Sequence, residues 1–66
     1  DMMNNLSFEE SLKRLDEIVK TLESGECSLE DSFKLFEEGT ALSKECYKTL
    51  ETAKQKISEF TQNEKE

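Results

Sequence analysis

Acidic side chains and two cysteines are the residues that could do chemistry in this chain, which has 66 residues and no histidine. Histidine is the side chain that enzymes use most often as a general base, so its absence argues against catalysis. The acids form adjacent pairs at Glu9-Glu10, Asp16-Glu17 and Glu37-Glu38. Adjacent helical residues point about 100° apart and cannot easily share a metal ion. We therefore expect a solvated acidic surface, with no catalytic residue, no cofactor and no metal site.

Cys27 and Cys46 are too few to hold a zinc ion through thiolates. If the second helix is continuous, Leu29 and Cys46 alone lie about 25 Å apart along it. A disulfide needs Cα atoms within roughly 7 Å, so the two cysteines are not expected to bond within one chain. Cys46 falls on an apolar stripe and is predicted to be a small core residue, whereas Cys27 is predicted to be an incidental thiol in a loop.

Two helices must position these residues, and the sequence marks where each begins. Ser7-Phe8-Glu9-Glu10 is a capping box, and Ser28-Leu29-Glu30-Asp31 repeats it with a shorter acid. Ser24-Gly25 is typical of a helix stop, because glycine readily takes the left-handed conformation. The short connection forces an antiparallel hairpin. The predicted fold is all-α, with disordered residues 1–6, helix one at about 8–23, a turn at 24–28, helix two at about 29–60 and a frayed polar tail at 61–66.

The apolar residues of helix one follow each other at alternating spacings of four and three, which is a heptad seam, and Ile18 widens it. Leu29 and Phe33 add apolar residues to the first half of helix two. Because a heptad seam faces a partner helix, we expect these side chains to pack between the two helices. The predicted hairpin core consists of Phe8, Leu12, Leu15, Val19, Leu22, Leu29 and Phe33.

Helix two is predicted to be longer than helix one, about 48 Å against about 24 Å, so helix one covers it only as far as about Cys46. The apolar stripe beyond that point has no partner within the chain. Each large side chain left in water forfeits about 1.5–3 kcal/mol in a chain that is already marginally stable. We expect a second chain to bind this stripe, and the hairpin to oligomerise as a coiled coil or helical bundle. The predicted partner-binding residues are Phe36, Gly39, Ser43, Cys46, Leu50, Ala53, Ile57 and Phe60.

Gly39 leaves two explanations open. A glycine inside a helix costs about 1 kcal/mol relative to alanine, so a packing reason is expected. Gly39 lies on the stripe between Phe36 and Ser43, where the lack of a side chain lets another group approach closely. That group is either a side chain of helix one, inside the hairpin, or a partner chain.

The net charge of −7 disfavours direct binding to nucleic acid, because an acidic surface repels phosphate. Residues 1–39 carry all of this charge, since residues 40–66 hold five acids and five bases. Single-strand binding by the C-terminal helix is therefore the least favoured hypothesis. No stretch approaches the roughly 18 apolar residues of a membrane span, and no signal-peptide core is present. With two cysteines that are not expected to pair, the expected location is cytoplasmic.

An ordered set of residues extends from about Leu6 to Phe60. It includes the runs Ser7-Phe8-Glu9-Glu10 and Phe36-Glu37-Glu38-Gly39. The other members are Leu15, Ile18-Val19, Leu22-Glu23, Gly25-Glu26, Ser28-Leu29-Glu30, Ser32, Leu42, Cys46, Leu50, Ala53 and Lys56. In this order they resemble the small-subunit family of exodeoxyribonuclease VII. The chain departs from that family at Cys27, where an aliphatic residue is frequent, and at Thr40-Ala41, which is smaller than usual.

The resemblance implies a non-catalytic subunit that binds a much larger catalytic chain, with several small subunits per large one. It implies a complex that degrades single-stranded DNA bidirectionally to acid-insoluble oligonucleotides and then to smaller acid-soluble ones. No catalytic residue is carried over, because hydrolysis of the phosphodiester bonds belongs to the large subunit. The isolated chain is expected to be a homo-oligomer that reaches DNA only through the complex. The alternative is a self-associating helical adaptor or chaperone with no nuclease link, which would have the same sequence pattern.

Overall fold

Two helices joined by a tight turn make up the part of the chain that the structure, a computed structural model, describes. Residues 2–64 are described, with side chains for residues 7–62. Helix α1 spans Met2–Ser24 and helix α2 spans Leu29–Glu64. The helices pack against each other as a hairpin 57 Å long. The predicted all-α hairpin is confirmed, and its oligomerisation stays a prediction. The predictions for Asp1 and for residues 65–66 lie outside the described residues.

The turn between the helices is built by Gly25 and Ser28. Gly25 has a φ of 70°, the left-handed conformation expected of it, and its amide donates to the carbonyl of Leu22 at 3.3 Å. The hydroxyl of Ser28 accepts a hydrogen bond from the amide of Asp31 at 3.1 Å, which caps the first turn of α2. Glycine therefore ends α1 and serine begins α2, and the short turn between them makes the helices antiparallel.

Helix α1 begins earlier than the sequence predicts. It starts at Met2, so residues 2–6 are helical and Ser7 lies inside the helix. The capping box at Ser7 can begin a helix but does not interrupt one, and the residues before it include neither proline nor glycine. Helix α2 also continues past Phe60, to Glu64. With about 9 Å of additional helix, α1 reaches beyond Cys46 to about the level of Thr52.

A seam of residues spaced alternately by three and four holds the helices together. Ile18 and Cys46 are its most deeply buried apolar side chains, 2% and 6% exposed. Gly39 is also buried, and the other members are half-buried. We call this set the hairpin seam: Phe8, Ser11, Leu15, Ile18 and Leu22 of α1, with Ser32, Leu35, Gly39, Leu42 and Cys46 of α2.

Four residues of the predicted hairpin core lie outside this seam. Leu12 and Val19 are exposed, and Leu29 and Phe33 are more so, at 78% and 64%. The α1 contact runs through Ser11 and Ile18 instead, each one residue before the expected position and so about 100° around the helix. Both tracks satisfy the three-four spacing. Phe8, Leu15 and Leu22 are half-buried in the seam.

Candidate partner-binding surface

One broad side of the hairpin is apolar. In α1, Leu12 and Val19 are rotated by about 100–120° from Ile18 at the centre of the seam. In α2, the exposed apolar residues before Leu50 are rotated from Gly39 by about 60–120° in the same sense. Because the helices are antiparallel, these rotations turn both groups to the same side. We call it the apolar side: Leu12, Val19, Leu29, Phe33, Phe36 and Tyr47, between 43% and 78% exposed.

A second exposed apolar surface lies near the C-terminal end of α2. Leu50, Ile57 and Phe60 are 56%, 66% and 65% exposed, and Ala53 is exposed between them. Past about Thr52 no residue of α1 stands opposite α2. We call Leu50, Ala53, Ile57 and Phe60 the distal stripe. An open groove along this part of the helix is lined by Leu50, Ala53, Lys54, Ile57, Ser58, Thr61 and Gln62.

The expected partner-binding residues divide between these surfaces and the hairpin seam. Phe36 lies on the apolar side, and Ser43 is exposed. The four expected residues from Leu50 to Phe60 form the distal stripe. Gly39 and Cys46, by contrast, are buried between the two helices and present no surface to another chain while the hairpin is closed. Their small size suits the interior, where two helix backbones approach each other.

The structure decides between the two explanations of Gly39. A Cβ atom at this position would lie 3.5 Å from Ile18 Cγ2 and 3.5 Å from Leu15 Cδ1. The group that approaches Gly39 is therefore helix one, inside the hairpin. Cys46 is buried and Cys27 is half-buried at the turn, and both are free thiols.

The exposed apolar surface also contains five residues that are not among the predicted partner-binding residues: Leu12, Val19, Leu29, Phe33 and Tyr47. In α2 the run Leu29, Phe33, Phe36 has the same three-four spacing as the hairpin seam. A second apolar track beside the first was therefore visible in the sequence. Leu29 and Phe33 of this track are predicted above to belong to the core and Phe36 to bind a partner, because only the packing of α1 shows which track faces inward.

The opposite broad side is polar and carries an ion pair between the helices. The guanidinium of Arg14 donates from Nε to Glu38 Oε2 at 2.7 Å and from Nη2 to Glu38 Oε1 at 2.8 Å. These bonds lower the pKa of the Glu38 carboxyl and, with the charge of Glu38, raise the pKa of Arg14. Glu17 adds a longer contact to Arg14 at 3.5 Å. We call this side, which also carries Glu10 and Glu45, the polar side; the charges of Arg14, Glu17 and Glu38 are paired with one another within the hairpin.

Apolar side chains dominate the two exposed surfaces. Within the described residues, no group of three or more histidine, cysteine or carboxylate side chains could hold a metal ion. None of the described helices is long and apolar enough to cross a membrane. What the described residues do offer is apolar area on two faces, and such area is suited to binding another protein.

Comparison with known proteins identifies the family. Residues 8–59 match the family model described as exonuclease VII small subunit. The protein named exodeoxyribonuclease 7 small subunit in Legionella pneumophila is 47% identical over 60 residues, which cover 91% of this chain and 79% of that protein. The protein of the same name in Caldanaerobacter subterraneus is 46% identical over 65 residues, which cover 98% of this chain and 87% of that protein. One from Colwellia psychrerythraea is 54% identical over 55 residues, covering 83% and 67%. No solved structure matches the chain. The chain belongs to the exonuclease VII small-subunit family.

Proposed function

We propose that this chain is a non-catalytic subunit that binds and stabilises the large catalytic subunit of exodeoxyribonuclease VII. The complex would degrade single-stranded DNA from both ends, first to acid-insoluble oligonucleotides and then to smaller acid-soluble ones. Family membership supports the role of a small subunit. The absence of histidine supports the assignment of the phosphodiester chemistry to the other chain.

The observation that carries the proposal is the amount of apolar surface left in water. Among the described residues, nine large apolar side chains are exposed by 43% or more, whereas Ile18 and Cys46 are the buried apolar side chains. Burying a large apolar side chain is worth about 1.5–3 kcal/mol. A hairpin this small is marginally stable by itself, so covering these exposed side chains with a second chain would stabilise it.

The proposed contact residues are the exposed ones. The distal stripe and Phe36 of the apolar side would pack against the large subunit, with Ser43 beside them. Gly39 and Cys46 would act indirectly, because they let the two helices pack closely and so hold the exposed residues in place. Several copies would bind each large chain.

Self-association of the isolated chain is part of the same proposal. Residues 50–62 contain Glu51 and Glu59 against Lys54 and Lys56, so this part of α2 is neutral and does not repel another copy. DNA would be reached only through the complex, because the net charge of −7 repels phosphate. The cytoplasmic location stays a prediction.

Co-expression with the large subunit encoded in the same genome tests the proposal. The double variant Leu50→Asp/Ile57→Asp places two charges in the distal stripe and should abolish co-purification with a tagged large subunit. Release of acid-soluble nucleotides from single-stranded DNA by the purified fraction should fall with it. The residues of the hairpin seam should stay packed, because both substitutions lie beyond Cys46, the last seam residue of α2.

The matched control is Thr52→Asp/Gln55→Asp, which adds the same charge to the opposite face of the same helix segment. This control should co-purify at the wild-type yield. Full recovery of Leu50→Asp/Ile57→Asp with an active nuclease would show that the distal stripe is not the contact. If the wild-type chain itself recovers no large subunit, the self-associating adaptor or chaperone is the better explanation.

A further inference from the structure

Charged residues border the apolar side at intervals of seven. In α1 the positions are Glu9, Asp16 and Glu23, and in α2 they are Glu30, Glu37, Lys44 and Glu51. Six of these seven residues are therefore acidic. A seven-residue period keeps them on one edge of each helix along its length. We call the two rows the acidic borders.

The acidic borders flank the exposed apolar side chains directly. An acid stands four positions after Leu12, Val19, Phe33 and Tyr47, and residues four apart are neighbours on a helix surface. The apolar side is thus enclosed between one row of carboxylates on α1 and another on α2. Flanking charges of this kind determine which helix a coiled-coil surface accepts.

Most of the border carboxylates have no cation beside them in the described part of the hairpin. Asp16 pairs with Lys20 at 3.0 Å, and Glu51 accepts a hydrogen bond from the hydroxyl of Tyr47 at 3.3 Å. Among residues 7–62, neither Glu23 nor Glu37 has a lysine or arginine within salt-bridge distance. The polar side differs, because there Glu38 is held by Arg14.

A second copy of this chain is a poor occupant for the apolar side. Two copies placed face to face would bring four acidic rows together, with Lys44 as the single base in each pair of borders. Like charges opposite one another across an interface are repulsive and reject the wrong partner. A helix whose apolar stripe is flanked by lysine or arginine would instead pair with both borders.

We propose that the apolar side receives an amphipathic helix of the large subunit whose apolar stripe is bordered by basic residues, and that it does not receive a second copy of this chain. The inference rests on the proposed function and deepens it, since it names the chemistry of the partner surface. The partner helix lies in the groove between α1 and α2 and makes a three-helix bundle. Its apolar residues cover Phe33 and Phe36, and its basic residues lie against Glu23 and Glu37.

Charge reversal on the borders tests this inference on the full-length chain. Glu23→Lys/Glu37→Lys reverses one acid in each border and moves the net charge from −7 to −3. Glu10→Lys/Glu45→Lys makes the same change of net charge on the polar side. The affinity of each variant for the purified large subunit is measured at low and high salt, after circular dichroism has shown unchanged helix content.

The border variant should bind the large subunit about tenfold more weakly at low salt, and the polar-side variant within about twofold of wild type. High salt should weaken the wild-type complex more than the border variant, because the lost interaction is electrostatic. Equal affinities of the two variants would overturn the inference while leaving the proposed function intact. Failure of the wild-type chain to bind would overturn the proposed function itself.

Sedimentation of the isolated chain tests whether a second copy of the chain binds the apolar side. Phe33→Asp places a charge in the centre of the apolar side and should leave the self-association of the isolated chain unchanged. Loss of self-association in this variant, together with a gain in Glu23→Lys/Glu37→Lys, would show that the apolar side binds a second copy. That result would overturn the inference.

Discussion

Replacement of Gly39 by alanine is expected to stabilise the hairpin, although Gly39 is buried where the two helices meet. The added Cβ would lie 3.5 Å from both Ile18 Cγ2 and Leu15 Cδ1, which is ordinary van der Waals contact. Neither side chain has to move. Gly39 also has no left-handed backbone conformation that an alanine would strain.

Two contributions have the same sign and set the size of the effect. Alanine is favoured over glycine inside a helix by about 1 kcal/mol. A buried methyl group adds up to about 0.8 kcal/mol through the hydrophobic effect. Gly39→Ala should therefore raise the free energy of unfolding by about 1–2 kcal/mol, which corresponds to roughly 7–14 °C in the melting temperature of a domain this small.

Thermal and urea denaturation, followed by circular dichroism, measure this change. Each melt is recorded at several protein concentrations, so that self-association is separated from the stability of the hairpin. Gly25→Ala is the control of opposite sign, because Gly25 has a φ of 70° and a side chain there is strained. A lower melting temperature for Gly39→Ala at unchanged oligomeric state would refute the argument. It would mean that the helices pack more closely at Gly39 than these distances indicate.

Two further predictions concern the turn and the polar side of the hairpin. Ser28→Ala removes the hydroxyl that accepts from the Asp31 amide, and it should lower the free energy of unfolding by about 1 kcal/mol; an unchanged urea midpoint would contradict the capping role. Glu38→Gln should destabilise the hairpin at neutral pH, because it removes the ion pair with Arg14. The ion pair lowers the pKa of Glu38 in the folded hairpin below its ordinary value of 4.5. The pair therefore stabilises the hairpin fully at a pH above 4.5, and this stabilisation is lost as the pH falls through the pKa of Glu38 in the folded state. The difference in free energy of unfolding between the wild type and Glu38→Gln should therefore shrink in acid. Urea melts that show the same difference at neutral and acidic pH would argue against a stabilising ion pair.

The assignment of residues to the interior shows the limit of a periodic pattern. In α1, Leu12 and Val19 form one three-four track and Ser11 and Ile18 form the neighbouring one. Apolar character alone favours the first track, because Ser11 is polar. The structure buries Ile18 and exposes Val19, since Ile18 and Leu15 are the side chains that meet the open space above Gly39. The choice depends on the shape of the other helix, and a pattern read along one helix does not contain that information.

The ion pair between Arg14 and Glu38 also depends on how the two helices pack against each other. The two residues are 24 positions apart, and the sequence alone supplies no register between the helices that would bring them together. The local pairing of Asp16 with Lys20, by contrast, follows from a spacing of four within one helix. Contacts within a helix are set by local geometry, whereas contacts between helices require the register of the hairpin.

The sequence by itself determined the two helices, the antiparallel turn, the excess of apolar surface and the family. These depend on local signals such as Gly25, Ser28 and the seven-residue period, or on identity shared with relatives along most of the chain. Only the tertiary structure decided that Gly39 faces helix one inside the hairpin, that Ile18 is buried while Val19 is exposed, and that Leu12 and Phe33 share one exposed side. The physical reason is that a rotation of about 100°, one residue, separates a buried position from an exposed one. Side chains from both helices, packed against each other, fix that rotation.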